Sequence, residues 1–249
     1  MVESYSALAP KYDELMADVD YAGYADFYEK LIGEYAPSAP KKLVDLGCGT
    51  GSVSVLMAKK GFEVCGIDIS CEMLTAAYKK ASDERVKIIF AEQDMTRLDV
   101  GEGWGAVICS FDGMNYLKNA RELGECFFRS AQTLEQGGMF IFDLNTKYKY
   151  ENVIDGNTFV YELEDLMLIW QNYYKRNRGV CDFYLTFFEK DGAVWHRIDE
   201  YQSQKMFSDK TVRKLLDENG FELIKTCSDI NGAATEKTSE RVFYICRKK

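Results

Sequence analysis

The 249 residues suffice for one substantial α/β domain with an insertion, and shares of 47% hydrophobic and 29% charged residues are those of an ordinary globular chain. A net charge of −9 argues against a nucleic-acid partner, because basic side chains that neutralise phosphates supply most of the affinity in such complexes. No apolar run reaches the ~20 residues of a membrane-spanning helix, and the start lacks the pattern of a secretory signal, so a cytoplasmic location with no membrane partner is expected.

Residues 1–40 read as helical. Pro10 can open a helix over 11–16, since proline loses no hydrogen bond at the first helical position. A second helix over 24–35 carries Phe27, Leu31 and Ile32 at helical spacing and is ended by Pro37 and Pro40. From Leu43 the pattern changes. Short apolar strands over 43–46, 64–67, 86–90 and 106–109 alternate with helices over 53–60, 71–81 and 122–134, and Gly137-Gly138 turns into a strand over 139–144. Such alternation implies a parallel sheet covered by helices on both faces. Residues 147–206 break the rhythm. They are rich in aromatic residues, and Phe183, Leu185 and Phe187 alternate with Tyr184, Thr186 and Phe188, which predicts an antiparallel insertion of three or four strands. A helix over 210–219 and strands over 221–227 and 241–246 then resume the α/β pattern.

None of the eight cysteines is spaced C-x-x-C, and a single histidine, His196, is available to join them, so no metal site is expected. Several lie in apolar strands, where free cysteine behaves as a small hydrophobe.

The chemistry concentrates in Leu43-Val44-Asp45-Leu46-Gly47-Cys48-Gly49-Thr50-Gly51. A strand feeds a loop with glycine at every second position, and a helix follows at once. Asp68 ends the next strand about twenty residues on, where a carboxylate can accept from ribose hydroxyls. The glycines lack the G-x-G-x-x-G spacing of a diphosphate site. Asp45 at the loop's entry suits a cationic ligand better than a diphosphate.

The run Asp45–Gly51 resembles motif I of the class I S-adenosylmethionine-dependent methyltransferases, and Gly66-Ile67-Asp68-Ile69-Ser70 resembles the motif that follows it. Residues 91–95, 107–111 and 134–138 are similar to the family's later strand exits and turn, so the resemblance covers roughly 41–146. It implies a doubly wound, Rossmann-like, mostly parallel seven-stranded α/β sheet, with an antiparallel β insertion after the fifth strand and S-adenosyl-L-methionine as cofactor. Residues 41–146 would form the cofactor-binding core, 147–206 the insertion on the acceptor side, and 207–249 the completion of the core. Carried over by position, Gly47, Gly49 and Gly51 would shape the cofactor loop, Asp68 would bind the ribose, and Ile69 and Met73 would pack near the adenine. Asp94 and Met95 would bind adenine, and Ser110 would flank the methionine part. Tyr5 and Tyr12-Asp13, with an aromatic-rich helix behind them, resemble a bacterial group of small-molecule methyltransferases that includes aminosugar N,N-dimethyltransferases. That implies a helical lid within 1–40, with Tyr12 and Tyr5 over the cofactor's methionine end.

Plainer roles compete for several of these residues. Asp94 can cap the turn at Met95-Thr96, and Ile69 and Met73 can be ordinary core. His196 can be a general base or a structural residue of a strand. Trp170, Tyr173, Tyr174, Phe183, Phe187 and Trp195 can line an acceptor pocket or fill the insertion's own core. Tyr12 and His196 are the candidates for a catalytic role. Asn115, Tyr116, Asp143 and Asn145 leave strand ends on the ligand side, and with Trp170 they are the acceptor-side candidates. The scarcity of histidine points to a small-molecule acceptor with an amine or an acidic hydroxyl. The rival readings are a non-catalytic cofactor-binding partner subunit, an RNA methyltransferase, and an NAD-linked oxidoreductase or epimerase. The oligomeric state is left open.

Overall fold

The computed structural model describes residues 9–249. A short 3-10 turn, Ala9–Lys11, leads into α1 (Tyr12–Leu15) and then α2 (Tyr21–Tyr35). The Asp20 side chain accepts from the Gly23 amide and starts α2 three residues earlier than the apolar periodicity alone suggests. The core then runs β1 (Lys42–Leu46), α3 (Ser52–Lys59), β2 (Glu63–Asp68), α4 (Cys71–Asp83), β3 (Ile88–Glu92), β4 (Trp104–Cys109), α5 (Ala120–Thr133) and β5 (Leu134–Asn145). After the insertion come α6 (Asp209–Glu218), β10 (Phe221–Cys227) and β11 (Arg241–Lys248). The seven core strands form one sheet in the order β10-β11-β5-β4-β1-β2-β3, with β11 antiparallel to both neighbours.

The central strands are apolar at nearly every position because both faces are covered. Val44, Leu46, Val107, Phe140, Phe142 and Tyr244 pack toward Leu123 and Phe127 of α5 and Val212 and Leu216 of α6. The alternate positions Leu43, Ala106, Ile108, Ile141 and Phe243 pack toward Phe27, Tyr28 and Leu31 of α2 and Val53 and Met57 of α3. Six cysteines are buried within these layers and the insertion, as small hydrophobes; Cys48 is half-buried and Cys71 exposed.

Several boundaries differ from the sequence expectation by one to five residues, and three of the shifts have a visible local cause. β3 begins at Ile88 because its register follows β2, from Val64↔Ile88 to Asp68↔Glu92; Val86 instead donates to the Ala81 carbonyl at the end of α4. α5 begins at Ala120 because the Asn119 side chain accepts from the Arg121 and Glu122 amides. β5 begins at Leu134, and Gly137-Gly138 lies inside it, opposite a register break between Trp104 and Ala106, rather than turning into it.

The insertion is a four-stranded antiparallel meander of β6 (Thr158–Glu162), β7 (Leu166–Lys175), β8 (Val180–Asp191) and β9 (Val194–Lys205), preceded by an unexpected π-helical turn, Lys149–Ile154. On β8 Phe183, Leu185 and Phe187 point inward and Tyr184 outward, in the expected alternation. Asp191 pairs with Val194, leaving a two-residue hairpin loop. Tyr12 and Leu15 of α1 pack against Leu166, Leu168, Leu185 and Phe187, so the N-terminal segment touches the insertion. Lys11 reaches Asp165 at 2.9 Å, while Asp13 accepts from Thr50 (2.7 Å) and Lys80 (2.8 Å) of the core. Among the described residues no helix is long and apolar enough to cross a membrane.

Candidate active site

The chain leaves β1 toward β2 and β3 on one side, then returns to β4 on the other. Where strand order reverses, loops diverge at the carboxyl ends of the strands and leave a crevice. Here that crevice is a cleft of about 1100 Å³. Each strand end contributes to its wall: Asp45, Gly47 and Gly49 after β1, Asp68 and Ile69 after β2, Asp94 and Met95 after β3, Ser110 and Phe111 after β4. Tyr12 and Tyr21 close one side, and Gln202 and Gln204 of β9 another.

The glycine loop is built as its spacing suggests. Gly47 and Gly49 have φ of +65° and +54°, a region that side-chain-bearing residues rarely adopt, and they bring bare backbone to the cleft. Asp68 Oδ2 accepts from the Gly49 amide at 2.8 Å and Oδ1 from Ser70 at 2.9 Å. Burial raises the Asp68 carboxyl above its ordinary range, while these backbone amides pull it down. Each oxygen keeps a lone pair for a ligand hydroxyl. Asp45 is buried, and its Oδ2 accepts from the Ser54 hydroxyl at 2.6 Å. Burial pushes its carboxyl from 3.8 up to about 7, against the Ser54 hydrogen bond. Asp94 Oδ1 takes both the amide and the hydroxyl of Thr96 at 2.8 Å, so it does cap the turn; Oδ2 has no hydrogen bond among the described residues. Ile69 lines the cleft at 67% exposure, an apolar surface with no protein packed on it. Met73, by contrast, is buried while lining the same wall. Ser110 and Tyr28 share a buried hydrogen bond of 2.8 Å.

Six expected site residues do not line the cleft, among them Asp143, which is buried and held by Arg241 and the Asp112 amide. Gly51 sits behind the loop, where an added Cβ would meet the Ala77 Cβ at 3.0 Å and the Phe90 ring at 3.2 Å; it serves the packing of α3 against α4. Asn115 and Asn145 are buried and bond one another, Asn145 N donating to Asn115 Oδ1 at 2.9 Å. The Asn115 amide also donates to the Lys205 carbonyl at 2.8 Å, which ties the core to β9. Trp170 packs edge-on against Phe159 and Phe183 within the insertion. His196 is exposed near the hairpin end of β9, with Asp191 3.9 Å away; it shares the face of Ile198 and Glu200 but lies past the covered part of that face. Of the other insertion aromatics, Tyr174, Phe183 and Phe187 fill the insertion's core, whereas Tyr173 and Trp195 are exposed. Tyr12 and Tyr116 do line the cleft; Tyr5 lies outside the described residues.

The wall residues that the sequence reading did not single out include Tyr21, Phe111, Gln202 and Gln204. The signal for the last two was present in the polar alternation Glu200-x-Gln202-x-Gln204 on an otherwise apolar inner face. Behind them lies a charged network. Arg241 of β11 donates to Asp112 Oδ1 at 2.7 Å and contacts Asp143; Asp143 also accepts from the Asp112 amide, and Asp112 Oδ2 accepts from Gln204 at 2.6 Å.

Comparison with known proteins identifies what this cleft belongs to. A methyltransferase-domain family matches residues 43–138. A protein of Geobacillus sp. (strain WCH70), named only as a methyltransferase, is 32% identical over 246 residues, which span 98% of this chain and 100% of that one. The chain belongs to the class I S-adenosylmethionine-dependent methyltransferases. The crystal structure of an S-adenosylmethionine-dependent methyltransferase from Clostridium acetobutylicum has the same fold, with a TM-score of 0.88, 28% identity and 98% of both chains covered. A dTDP-3-amino-3,4,6-trideoxy-alpha-D-glucopyranose N,N-dimethyltransferase of Streptomyces venezuelae is 32% identical over 124 residues, half of each chain. The donor set of this methyltransferase fits its cofactor. A buried carboxyl with a single hydroxyl partner suits a cationic amino-acid sulfonium, a strand-end carboxylate suits a ribose, and an uncovered isoleucine beside a half-satisfied aspartate suits adenine.

Proposed function

We propose that this methyltransferase alkylates an amine nitrogen of a small molecule. The observation that carries the reading is the chemistry of the cleft wall around Tyr12. Burial raises the Tyr12 phenol well above its ordinary value and the Tyr21 phenol to about 12, so both stay protonated near neutral pH. Ser110, Tyr116 and the amides of Gln202 and Gln204 also line the cleft, and no histidine does among the described residues. Its carboxyls are the strand-end Asp45, Asp68 and Asp94, which this reading gives to the cofactor, and Glu122 and Glu125, which accept from Asn119 and Arg129. No side chain is left assigned to strip a proton from an alcohol. A free amine needs none, since it arrives with its own lone pair. The Streptomyces relative, named as an N,N-dimethyltransferase, supports the same chemistry.

In this reading Asp68 holds the ribose, Asp94, Met95, Ile69 and Met73 frame the adenine, and Asp45 with Ser110 faces the methionine end. The bound cofactor supplies a methyl group already activated by a sulfonium. Rate enhancement then comes from placement of the nucleophile in line with that methyl. Tyr12 and α1 act as a lid that excludes water, and Tyr116 and Gln202 place the acceptor on the opposite wall. A volume of about 1100 Å³ exceeds the ~300–1,000 Å³ of a usual ligand site and leaves room for cofactor and acceptor together.

The test is release of S-adenosylhomocysteine from S-adenosylmethionine across matched sets of primary amines, phenols and carboxylates. Turnover of amines, with kcat/KM rising with pH up to the amine's own pKa, is the expected result. Turnover confined to oxygen acceptors, or to RNA, would replace the reading.

A further inference from the structure

Tyr21 opens α2, Ser52 and Val53 open α3, and all three line the cleft beside the glycine loop. The Tyr21 hydroxyl is buried there and makes no hydrogen bond among the described residues. A buried polar atom without a partner costs free energy, so such atoms are rare and call for an explanation. Burial and the Asp13 charge raise the phenol to about 12, against an opposing pull from Ser52, so the oxygen keeps its proton near neutral pH. Tyr21 thus carries a donor with nothing to donate to.

The groups around it are donors as well. Lys80 Nζ donates to Ser52 Oγ at 2.6 Å, so the Ser52 hydroxyl keeps its own proton for another acceptor. Gly51, at φ +75°, precedes α3 without any side-chain cap. The first bond into the helix runs from Val55 N to the Gly51 carbonyl at 2.9 Å. The amides ahead of Val55 are those a helix cannot satisfy by itself, and its dipole makes them favour an anion. Asp13, on the α1 side, is taken up by Thr50 and Lys80 at 2.7 and 2.8 Å. Asp45, lining the same cleft, is the opposite in character, a buried carboxyl held by the Ser54 hydroxyl alone.

We infer that the Tyr21 hydroxyl, with Ser52 and the first amides of α3, seats the carboxylate of the cofactor's amino-acid end. Asp45 remains for the ammonium of that same end. The two opposite demands of one amino acid are thereby met by two groups of opposite character. The cleft then reads its cofactor as an amino acid as well as a nucleoside. A ligand with the adenosine and the thioether but no carboxylate would leave the Tyr21 proton unpaired. The assignment holds whichever acceptor is methylated, so it stands or falls apart from the amine reading above.

The experiment compares two ligands that differ in that one group. They are S-adenosylhomocysteine and S-adenosyl-3-thiopropylamine, the same thioether with hydrogen in place of the carboxylate. Both are titrated calorimetrically into the full chain. The wild type should prefer S-adenosylhomocysteine by roughly 100-fold. Tyr21→Phe keeps the ring that packs on Phe111 and should lower that ratio about tenfold, the worth of one hydrogen bond to a charged group. The loss should fall on S-adenosylhomocysteine alone. Unchanged affinity for S-adenosyl-3-thiopropylamine is then also the check that the variant is folded. A role for Tyr21 in shaping the wall only would weaken both ligands alike and leave the ratio unmoved, which overturns the inference. Equal affinities in the wild type, or no binding of either ligand, overturn it too. Should Tyr21→Phe bind neither ligand, Ser52→Ala decides in its place: a lowered ratio upholds the seat, and an unchanged ratio or the loss of both ligands removes it.

Discussion

Asp68 and Asp45 are both aspartates at strand ends in one cleft, yet their surroundings give them different work. Asp68 is held by two backbone amides and lines the cleft with its remaining lone pairs unused by them. Asp68→Ala should leave the fold intact and weaken S-adenosylhomocysteine by roughly 10–100-fold, measured by calorimetry. Asp45 has no such support, and its carboxyl stands at about 7. A carboxyl whose folded pKa lies above its unfolded one binds its proton more tightly when folded. Its stabilising share is complete below pH 3.8 and is lost as pH rises through about 7. Asp45→Asn should therefore stabilise the cofactor-free protein at pH 8, by up to about 4 kcal/mol, and do little at pH 4, as denaturant titrations would show. The same substitution removes the charge that meets a cationic ligand. Wild-type affinity for S-adenosylmethionine should fall as pH drops below about 7, and the variant's weaker affinity should be flat across that range. A neutral variant that bound the cofactor with the wild-type pH dependence would assign the titration to another group.

Between β4 and α5 the chain makes a turn that no local rule announces. Phe111 and Asp112 both have φ of +55°, a conformation costly for residues with side chains and found where surrounding contacts over-determine it. The contacts here come from far along the chain. Arg241 grips Asp112 and Asp143, the Asp112 amide donates to Asp143, and Gln204 reaches Asp112 from the insertion. The turn sets the Phe111 ring against Tyr21 and Tyr24, at 5.4 and 4.5 Å between centroids, and so shapes the cleft wall. Arg241→Met should cost ~3–5 kcal/mol, because it leaves two carboxylates facing one another with one of them fully buried. The loss should be read as a lower urea midpoint at unchanged slope. Asp143→Asn in the same chain should recover much of it.

This turn also marks where the sequence stops being informative. The glycine loop, Asp68 and Asp94 were legible because each lies next to the end of its own strand, so chain order alone puts them on the ligand side. Asn115 and Asn145 also sit at strand ends, but their amides turn toward each other and toward β9 rather than into the cleft. Arg241 and Gln204 act on partners that only the strand order brings near, and no spacing in the sequence encodes such pairs.

At the scale of the whole molecule the legible part was the alternation of strands and helices. It showed because a strand covered on both faces keeps a short continuous apolar run, as in Leu43-Val44 of β1, Ala106–Cys109 of β4 and Met139–Phe142 of β5. The insertion showed only as a change of rhythm. One of its faces is open, with Tyr173, Tyr184 and Tyr201 forming an exposed row of ring contacts at 5.7 and 5.3 Å, so exposed and buried aromatic residues look alike in the sequence. Its attachment to the core is polar, through Asn115, Tyr116, Asn145 and Asp112, rather than through a continuous apolar layer.

The burial of the cysteines has a use beyond packing. Cys109 and Cys246 are sealed inside the doubly covered sheet and Cys126 under the α5 helix that covers it, Cys181 is sealed inside the insertion, and Cys71 stands in solvent. The chain thus carries timekeepers in each of its parts, since a thiol reagent can mark a buried sulfur only while its surroundings are open. With a maleimide in excess and peptides read by mass spectrometry, Cys71 should be marked at once. Cys181 should follow well before Cys246, because its sheet is guarded on one face only. Equal clocks at Cys181 and Cys246 would instead mean that the polar seam transmits opening as fully as an apolar core does, and that the enzyme comes apart as one body.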